Sequence, residues 1–298
     1  MHLGYALPLG DIGGDPATVR EIAGIAEAAG FNDLTLADHV LGVNPAMLPE
    51  TGRSKASNLY HDPFVLFGFL AAACSPKVSF STQVLILPQR QATLVAKQAA
   101  CLAMLCEGRF RLGVGVGWNE VEFIGLNEDF HNRGKRSVEQ VEVMQKLWSE
   151  EFVDFKGQWH SLPNVGINPR PPGGKVPVWF GGHLEATLRR IARLGDGWMQ
   201  LAYPMGEQAI AEFDKLKRLT AAAGRDPAAI GLEVWVSCAE GGEAEWREEF
   251  LWWKRAGVTH VTLHNCYAGH HHKRIAARDK ATHVALLRRW QAAVADLA

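Results

Sequence analysis

The chain has 298 residues, 47% of them apolar, and a formal net charge of −1, enough to fill two average domains or one large α/β barrel. Lysine and arginine are scattered rather than striped, which argues against a nucleic-acid or anionic-membrane partner and leaves a small-molecule substrate as the expectation. None of the five cysteines forms a CxxC, the longest apolar run (64–74) is too short to cross a bilayer, and the opening MHLGYALPL has no basic leader, so a cytoplasmic location is expected.

His2 to Pro8 reads as a first strand, and Asp15-Pro16 opens a helix that Gly30 ends, with Asp as N-cap and Pro in the first turn. A second strand, Phe31 to Leu36, runs into Asp38-His39, followed by a long polar loop over 40–61. Asp62-Pro63 caps an apolar helix from Phe64 to Cys74, Val78 to Leu87 is a third strand, and Gln91 to Leu105 is a helix stopped near Gly108. Phe110 to Val116 is a fourth strand. Residues 119–175 then read as an insertion: a helix from Arg136 to Glu150, a hairpin-like FVDFKGQWHSL and the Pro-rich NPRPPGGKVP. Four strand–helix pairs follow: Val176 to Phe180 with Leu184 to Arg193, Gly197 to Leu201 with Glu207 to Ala223, Ile230 to Ser237 with Gly242 to Ala256, and Val258 to Leu263 with Asp279 to Ala295. Parallel strands need helical crossovers and a barrel removes sheet edges, so this alternation predicts an α/β fold, a (β/α)8 TIM barrel in one domain over 1–298 with an insertion after strand 4. A doubly wound open sheet is the alternative.

Glycines at strand ends let a ligand approach the backbone without meeting a β-carbon. GVGVGW at 113–118 fails the dinucleotide pattern GxGxxG because Trp118 stands where the last glycine is required. Gly113 and Gly115 are open to a packing role inside the barrel, whereas Gly117, Trp118 and Asn119 fall at the strand's C-terminal end and are the ligand candidates. Gly181, Gly182, His183 and Leu184 join a strand to a helix, where free amides suit an anion such as phosphate; a plain tight turn is the other reading. Leu194-Gly195-Asp196-Gly197-Trp198 reads as a helix C-cap and strand entry. Asp38-His39 closes the second strand on the face where barrels do chemistry, and an acid beside an imidazole can hold or polarise a proton-carrying group. His260, His264, His270, His271 and His272 crowd the last strand and its loop, but no carboxylate arrangement completes a four-ligand zinc set, so no metal site is assigned.

Taken together, LADHV at 36–40, HDPFVLFGFLAAAC at 61–74, STQVLILPQR at 81–90, GRFRLGVGVGWNEVEF at 108–123 and VPVWFGGHLEATLRRIARLGDGW at 176–198 resemble the luciferase-like monooxygenase superfamily, most strongly its deazaflavin branch. The resemblance implies a TIM barrel holding coenzyme F420, an 8-hydroxy-5-deazaflavin, at its C-terminal mouth, and hydride transfer between the ring and a small organic substrate. It implies that Asp38 and His39 lie near the ring, with His39 as catalytic proton donor or charge stabiliser. Thr82, Gln83 and Val84 match a strand where relatives carry a non-prolyl cis peptide that buttresses the ring. Gly117, Trp118 and Asn119 would line the cofactor's tail, and Gly181, Gly182, His183 and Leu184 would take its phosphate. A homodimer is also implied, with apolar surface on the helices at 64–74 and 93–106 to support it.

Two departures stand out. Sugar-phosphate dehydrogenases of the branch have an aromatic residue shortly after the Asp-His pair, where this chain has Leu41-Gly42-Val43, and an acidic residue where Trp118 stands. A neutral or aromatic acceptor is therefore expected rather than a sugar phosphate. The alternative activity is an FMN-dependent monooxygenase served by a separate flavin reductase. From other classes come a non-catalytic flavin-binding barrel or subunit and a metal-dependent hydrolase.

Overall fold

The computed structural model describes residues 1–44, 46 and 55–298, so the middle of the expected 40–61 loop lies outside the described residues. β1 (His2–Ala6) leads through a short α1 (Leu9–Ile12) and α2 (Pro16–Ala28) to β2 (Asp33–Leu36) and α3 (Pro63–Ala71). β3 (Ser79–Thr82) and β4 (Leu85–Ile86) precede α4 (Ala92–Leu105). β5 (Phe110–Gly115) is followed by α5 (Glu120–Gly125), α6 (Arg133–Ser149) and an antiparallel hairpin, β6 (Val153–Lys156) and β7 (Ser161–Val165). The chain closes with β8 (Val178–Gly181), α7 (Glu185–Leu194), β9 (Gly197–Gln200), α8 (Glu207–Ala222), β10 (Gly231–Val236), α9 (Glu243–Arg255), β11 (His260–Leu263) and α10 (Lys280–Val294).

Neighbouring strands of the main sheet are parallel, and β3 and β4 both pair with β5, so the sheet closes into the expected TIM barrel and the open-sheet alternative falls. Helix starts follow local chemistry. The Asp15 carboxylate accepts from the amides of Ala17 and Thr18 at 3.0 and 3.1 Å, and Asp62 does the same for Phe64 and Val65 at 3.0 and 3.2 Å. In both cases a proline occupies the first turn, where its missing N–H costs nothing.

Two expectations need correction. The third strand is not continuous from Val78 to Leu87: the Gln83–Val84 peptide is cis, and the chain turns there before resuming as β4. Nor is 119–175 wholly an insertion. α6 packs against α4 and α7 as the fourth crossover helix of the barrel, with Trp148 Nε1 donating to Ala96 O at 2.9 Å, so only α5 and the hairpin are additions.

Residues alternate between the helix-facing and inward-facing sides of each strand. Outward Leu34, Phe80, Phe110, Leu112, Val178 and Val261 are buried under the helices. Inward, the end nearest the strand N-termini is filled by charge and one indole. Arg111 donates to Asp33 Oδ2 at 2.5 Å and Glu233 Oε2 at 3.0 Å, and its guanidinium stands 4.5 Å from the Trp179 ring centroid. Ser79 and Ser81 each donate to Asp33 at 2.8 Å, and Thr262 donates to Glu233 at 2.5 Å. Gly197 and Gly231 make room for Trp179, because a β-carbon on either would overlap the indole.

This packing yields a test. Gly231→Ala is expected to lower stability by about 1–3 kcal/mol, the usual range for overpacking a filled core, read as a lower midpoint in urea. Trp179→Leu in the same background should recover part of the loss, and an unchanged midpoint in Gly231→Ala would mean that the indole is not confined.

Candidate active site

The site lies at the C-terminal mouth of the barrel, where β2, β4, β5, β8, β10 and β11 release their loops. Consecutive residues at a strand end point opposite ways, and Asp38 and His39 show the consequence. Asp38, 2% exposed, is buried beside the starts of α3 and α4: its carboxylate accepts from Arg90 Nη2 at 2.8 Å, Arg90 Nε at 3.3 Å and the Ile86 amide at 3.1 Å. Arg90 in turn reaches Asp62 at 3.0 Å. Asp38 therefore ties β2 to β4 and the start of α3 and does not bond the imidazole beside it.

The carboxylate on His39 is Glu122, from α5. His39 Nδ1 lies 3.0 Å from Glu122 Oε2, and Glu122 Oε1 accepts from the amides of Val40 and Leu41 at 3.0 and 3.2 Å. Burial works against the Glu122 carboxylate, but the bonds from His39 and then from the two amides outweigh it and hold the group below the ordinary glutamate range. An ionised carboxylate only accepts, so Nδ1 carries the proton of this bond and Nε2 is left for a ligand. The His39 ring packs on Tyr60 at 4.8 Å between centroids and edge-on to Trp118 at 6.1 Å. Glu122 escaped the sequence reading, since nothing local connects it to a histidine 83 residues earlier.

Thr82 Oγ1 donates to Gly113 O at 2.6 Å, and Gln83 sends its amide inward, where Nε2 donates to Glu233. Val84 is half-buried at the mouth. Gly115 and Gly181 flank it: β-carbons there would stand 2.5 and 2.8 Å from its methyl groups. Gly113 likewise has no space for a β-carbon beside Thr82 and Met199, which gives it the packing role.

The remaining candidates occupy the loops after β5 and β8. Gly117 adopts φ 73°, and its carbonyl accepts from Arg133 Nε at 3.2 Å. Trp118 is 45% exposed, whereas Asn119 is buried with Nδ2 unpartnered. Gly182, at φ 113°, accepts from Trp198 Nε1 at 2.7 Å. Leu184 is the N-cap of α7, and the His183 ring meets His270 edge-on at 4.8 Å. Gly195 ends α7, as its C-cap reading anticipated.

Across the mouth, the histidine-rich loop contributes rings rather than a metal centre. His264 stacks on Trp235 at 4.4 Å, with Tyr267 and His272 each 5.9 Å from it. Burial and then the His272 ring push His264 down to about 3, so it is neutral at ordinary pH. Trp235 Nε1 is buried without a partner. Among the described residues no group of three or more His, Cys, Asp and Glu side chains is arranged to hold a metal ion, and no helix is long and apolar enough to cross a membrane.

The luciferase-like monooxygenase profile matches residues 2–298. The chain belongs to that family. With that membership it is an oxidoreductase. An uncharacterized protein of Mycobacterium tuberculosis is 35% identical over 215 residues, covering 68% of this chain and 72% of its own. An F420-dependent glucose-6-phosphate dehydrogenase of Mycolicibacterium smegmatis is 31% identical over 232 residues, 74% of this chain and 65% of its own. Among solved structures, an F420-dependent secondary alcohol dehydrogenase in complex with an F420-acetone adduct superposes with a TM-score of 0.79 at 19% identity, covering 100% of this chain and 99% of that one, a likeness of fold.

Glu122→Gln tests the histidine support. The folded pKa of Glu122 lies below its unfolded value, so its stabilisation is present above the unfolded value and is lost as pH falls through the folded one. Wild type should exceed the variant by about 1–3 kcal/mol at neutral pH, with the gap closing in acid. A gap constant across that range would show that the charge contributes nothing.

Proposed function

We propose that the protein is a coenzyme F420-dependent oxidoreductase that transfers hydride between the deazaflavin ring and a neutral small organic substrate. When bound, the deazaflavin supplies a carbon centre, C5, that gives or takes hydride. The observation that carries this reading is the His39–Glu122 pair at the mouth, which presents Nε2 for proton exchange with the substrate oxygen as hydride moves at the adjacent carbon. The resemblance of the motifs and the names of the F420-dependent relatives support the choice of cofactor.

The residues present fit a flat ring. Val84 stands between two positions where only glycine leaves it room, and the Gly117–Asn119 and Gly181–Leu184 loops border the same side of the barrel. Asp38 serves the site from behind, by fixing β4 and Arg90. On the substrate side, Trp235, neutral His264, Tyr267 and His272 form an aromatic wall without charge, which suits an uncharged acceptor and offers a sugar phosphate nothing to pair with. The five unpaired cysteines accord with the reducing cytoplasm.

Titration of the purified protein with F420 and with FMN decides the cofactor; tight binding of F420 and little oxygen consumption are expected. His39→Ala should then lower turnover by about 10²- to 10⁴-fold, the range for a general acid–base group, with cofactor affinity nearly unchanged. Tight FMN binding with oxygen uptake would favour a monooxygenase fed by a separate reductase. Full turnover in His39→Ala would remove the histidine from the chemistry.

The homodimer belongs to the same reading. Val65 and Phe69 on α3, with Leu94, Met104 and Leu105 on α4, are apolar and exposed on adjacent helices, and burying them against a second copy would remove that surface from water. Sedimentation should show a dimer for wild type and a monomer for Val65→Asp/Leu105→Glu. A wild-type monomer at micromolar concentration would reject it.

A further inference from the structure

We propose that the substrate of this site carries a straight alkyl chain on its reacting carbon and that the chain lies along an apolar strip made by Trp118, Val121 and Ile124; the inference rests on the oxidoreductase reading above and adds the shape of the substrate. The strip begins at the reacting end. Trp118 stands edge-on to the His39 ring at 6.1 Å, with its indole partly open to solvent. Val121 and Ile124 follow on α5 three residues apart, a spacing that puts them on one side of the helix, and both are exposed, Ile124 to 72%. Leu41, also exposed, continues the strip beside them, since a β-carbon on Gly125 would lie 2.4 Å from its Cδ1.

The charges of α5 are turned elsewhere. Glu122 is committed to His39 and to the amides of Val40 and Leu41, and Glu120 stands 3.7 Å from His131. Phe123 fills the buried side of the helix, edge-on to Phe130 at 5.2 Å. What α5 leaves in water beside the mouth is therefore aliphatic. Single exposed apolar residues are ordinary on a protein surface, but a row of them running out from a catalytic imidazole is not.

Continuity with the site indicates the occupant. Proton exchange at His39 Nε2 places the oxygen-bearing carbon of the substrate at the imidazole, so a chain attached to that carbon can run past Trp118 onto Val121 and Ile124. The row is one side chain wide, which suits a methylene chain better than a fused ring system. Two aliphatic side chains and part of an indole also fall well short of the roughly 800 Å² that each partner of a stable protein interface buries.

The test is a series of straight-chain alcohols from butanol to decanol, with the matching aldehydes, titrated calorimetrically into the protein alone and into the protein loaded with F420 or with FMN. Full burial of a methylene is worth about fourfold in affinity, and a strip that covers one side of the chain should give about twofold per methylene, levelling off once the chain outruns Ile124. The heat capacity of binding should become more negative along the rising part of the series. Val121→Asn/Ile124→Asn should reduce the ratio of long-chain to short-chain affinity to near one, and Ile124→Leu should keep the wild-type ratio. Both positions are exposed, so the melting temperature should stay at the wild-type value; if the double variant fails to fold, the wild-type series and Ile124→Leu decide. A flat wild-type series would overturn the inference, as would a double variant that keeps the slope, one that weakens every length alike, or one that changes the oligomeric state and so assigns the strip to a second copy. A flat series in a protein that turns over its alcohols with F420 would overturn the strip and leave the F420 reading standing. A rising, variant-sensitive series with FMN or without cofactor, and no F420 binding, would do the reverse.

Discussion

A parallel barrel has to fill its own interior, and this one does so with charge at one end and with glycines and uncharged side chains at the other. Arg111 between Asp33 and Glu233 is a buried cation with two buried anions, and such a group survives only when the remaining polar atoms are also met. Ser79, Ser81 and Thr262 meet them, and Trp179 covers the guanidinium face. Because the interior is closed there, any ligand has to enter from the other end, where the inward positions include Ala6, Gly115 and Gly181. The same network extends to the site: Glu233 also accepts from Gln83, the residue before Val84, so the backbone that presents Val84 to the mouth is held from beneath.

The two carboxylates at the mouth divide positioning between them. Asp38 is spent on Arg90 and the Ile86 amide, an arrangement that fixes where β4 resumes after the turn. Glu122 is spent on His39 and on two successive amides of the loop that follows it. The second arrangement couples α5, an addition to the plain barrel, to the strand that carries the histidine. Removing α5 would take away the carboxylate that His39 Nδ1 meets, which gives this short helix a reason to exist that packing alone does not supply.

The barrel was legible because its signals are local. Asp15-Pro16 and Asp62-Pro63 announce helix starts through bonds that span two or three residues, and strand–helix alternation follows from hydrophobic spacing. The mouth was legible in part: strand order puts His39, Gly117 and Gly182 at the same end of a closed parallel sheet. The cis peptide at Gln83–Val84 was expected through resemblance, but the break in the strand was not, since β-branched and apolar residues on either side give no local sign of it. Glu122 and Arg90 were not foreseen, because each acquires its meaning from a partner on another element, and a glutamate in VEF looks like any solvated helix charge. The fourth helix was misread as insertion because the hairpin behind it delays the next strand.

Charge at the two sides of the mouth differs in a way that bears on how a ligand must lie. On the β2 side the Glu122 carboxylate faces His39 and, being an anion whose oxygens accept from three donors, offers an anionic ligand nothing to pair with. On the β5–β8 side Arg133 and Arg190 have no counter-charge among the described residues, and two helix N-termini add to them. The β10–β11 side is aromatic and neutral. Trp118 stands edge-on to the His39 ring and Tyr60 packs on it, so the imidazole meets aromatic surface on both sides.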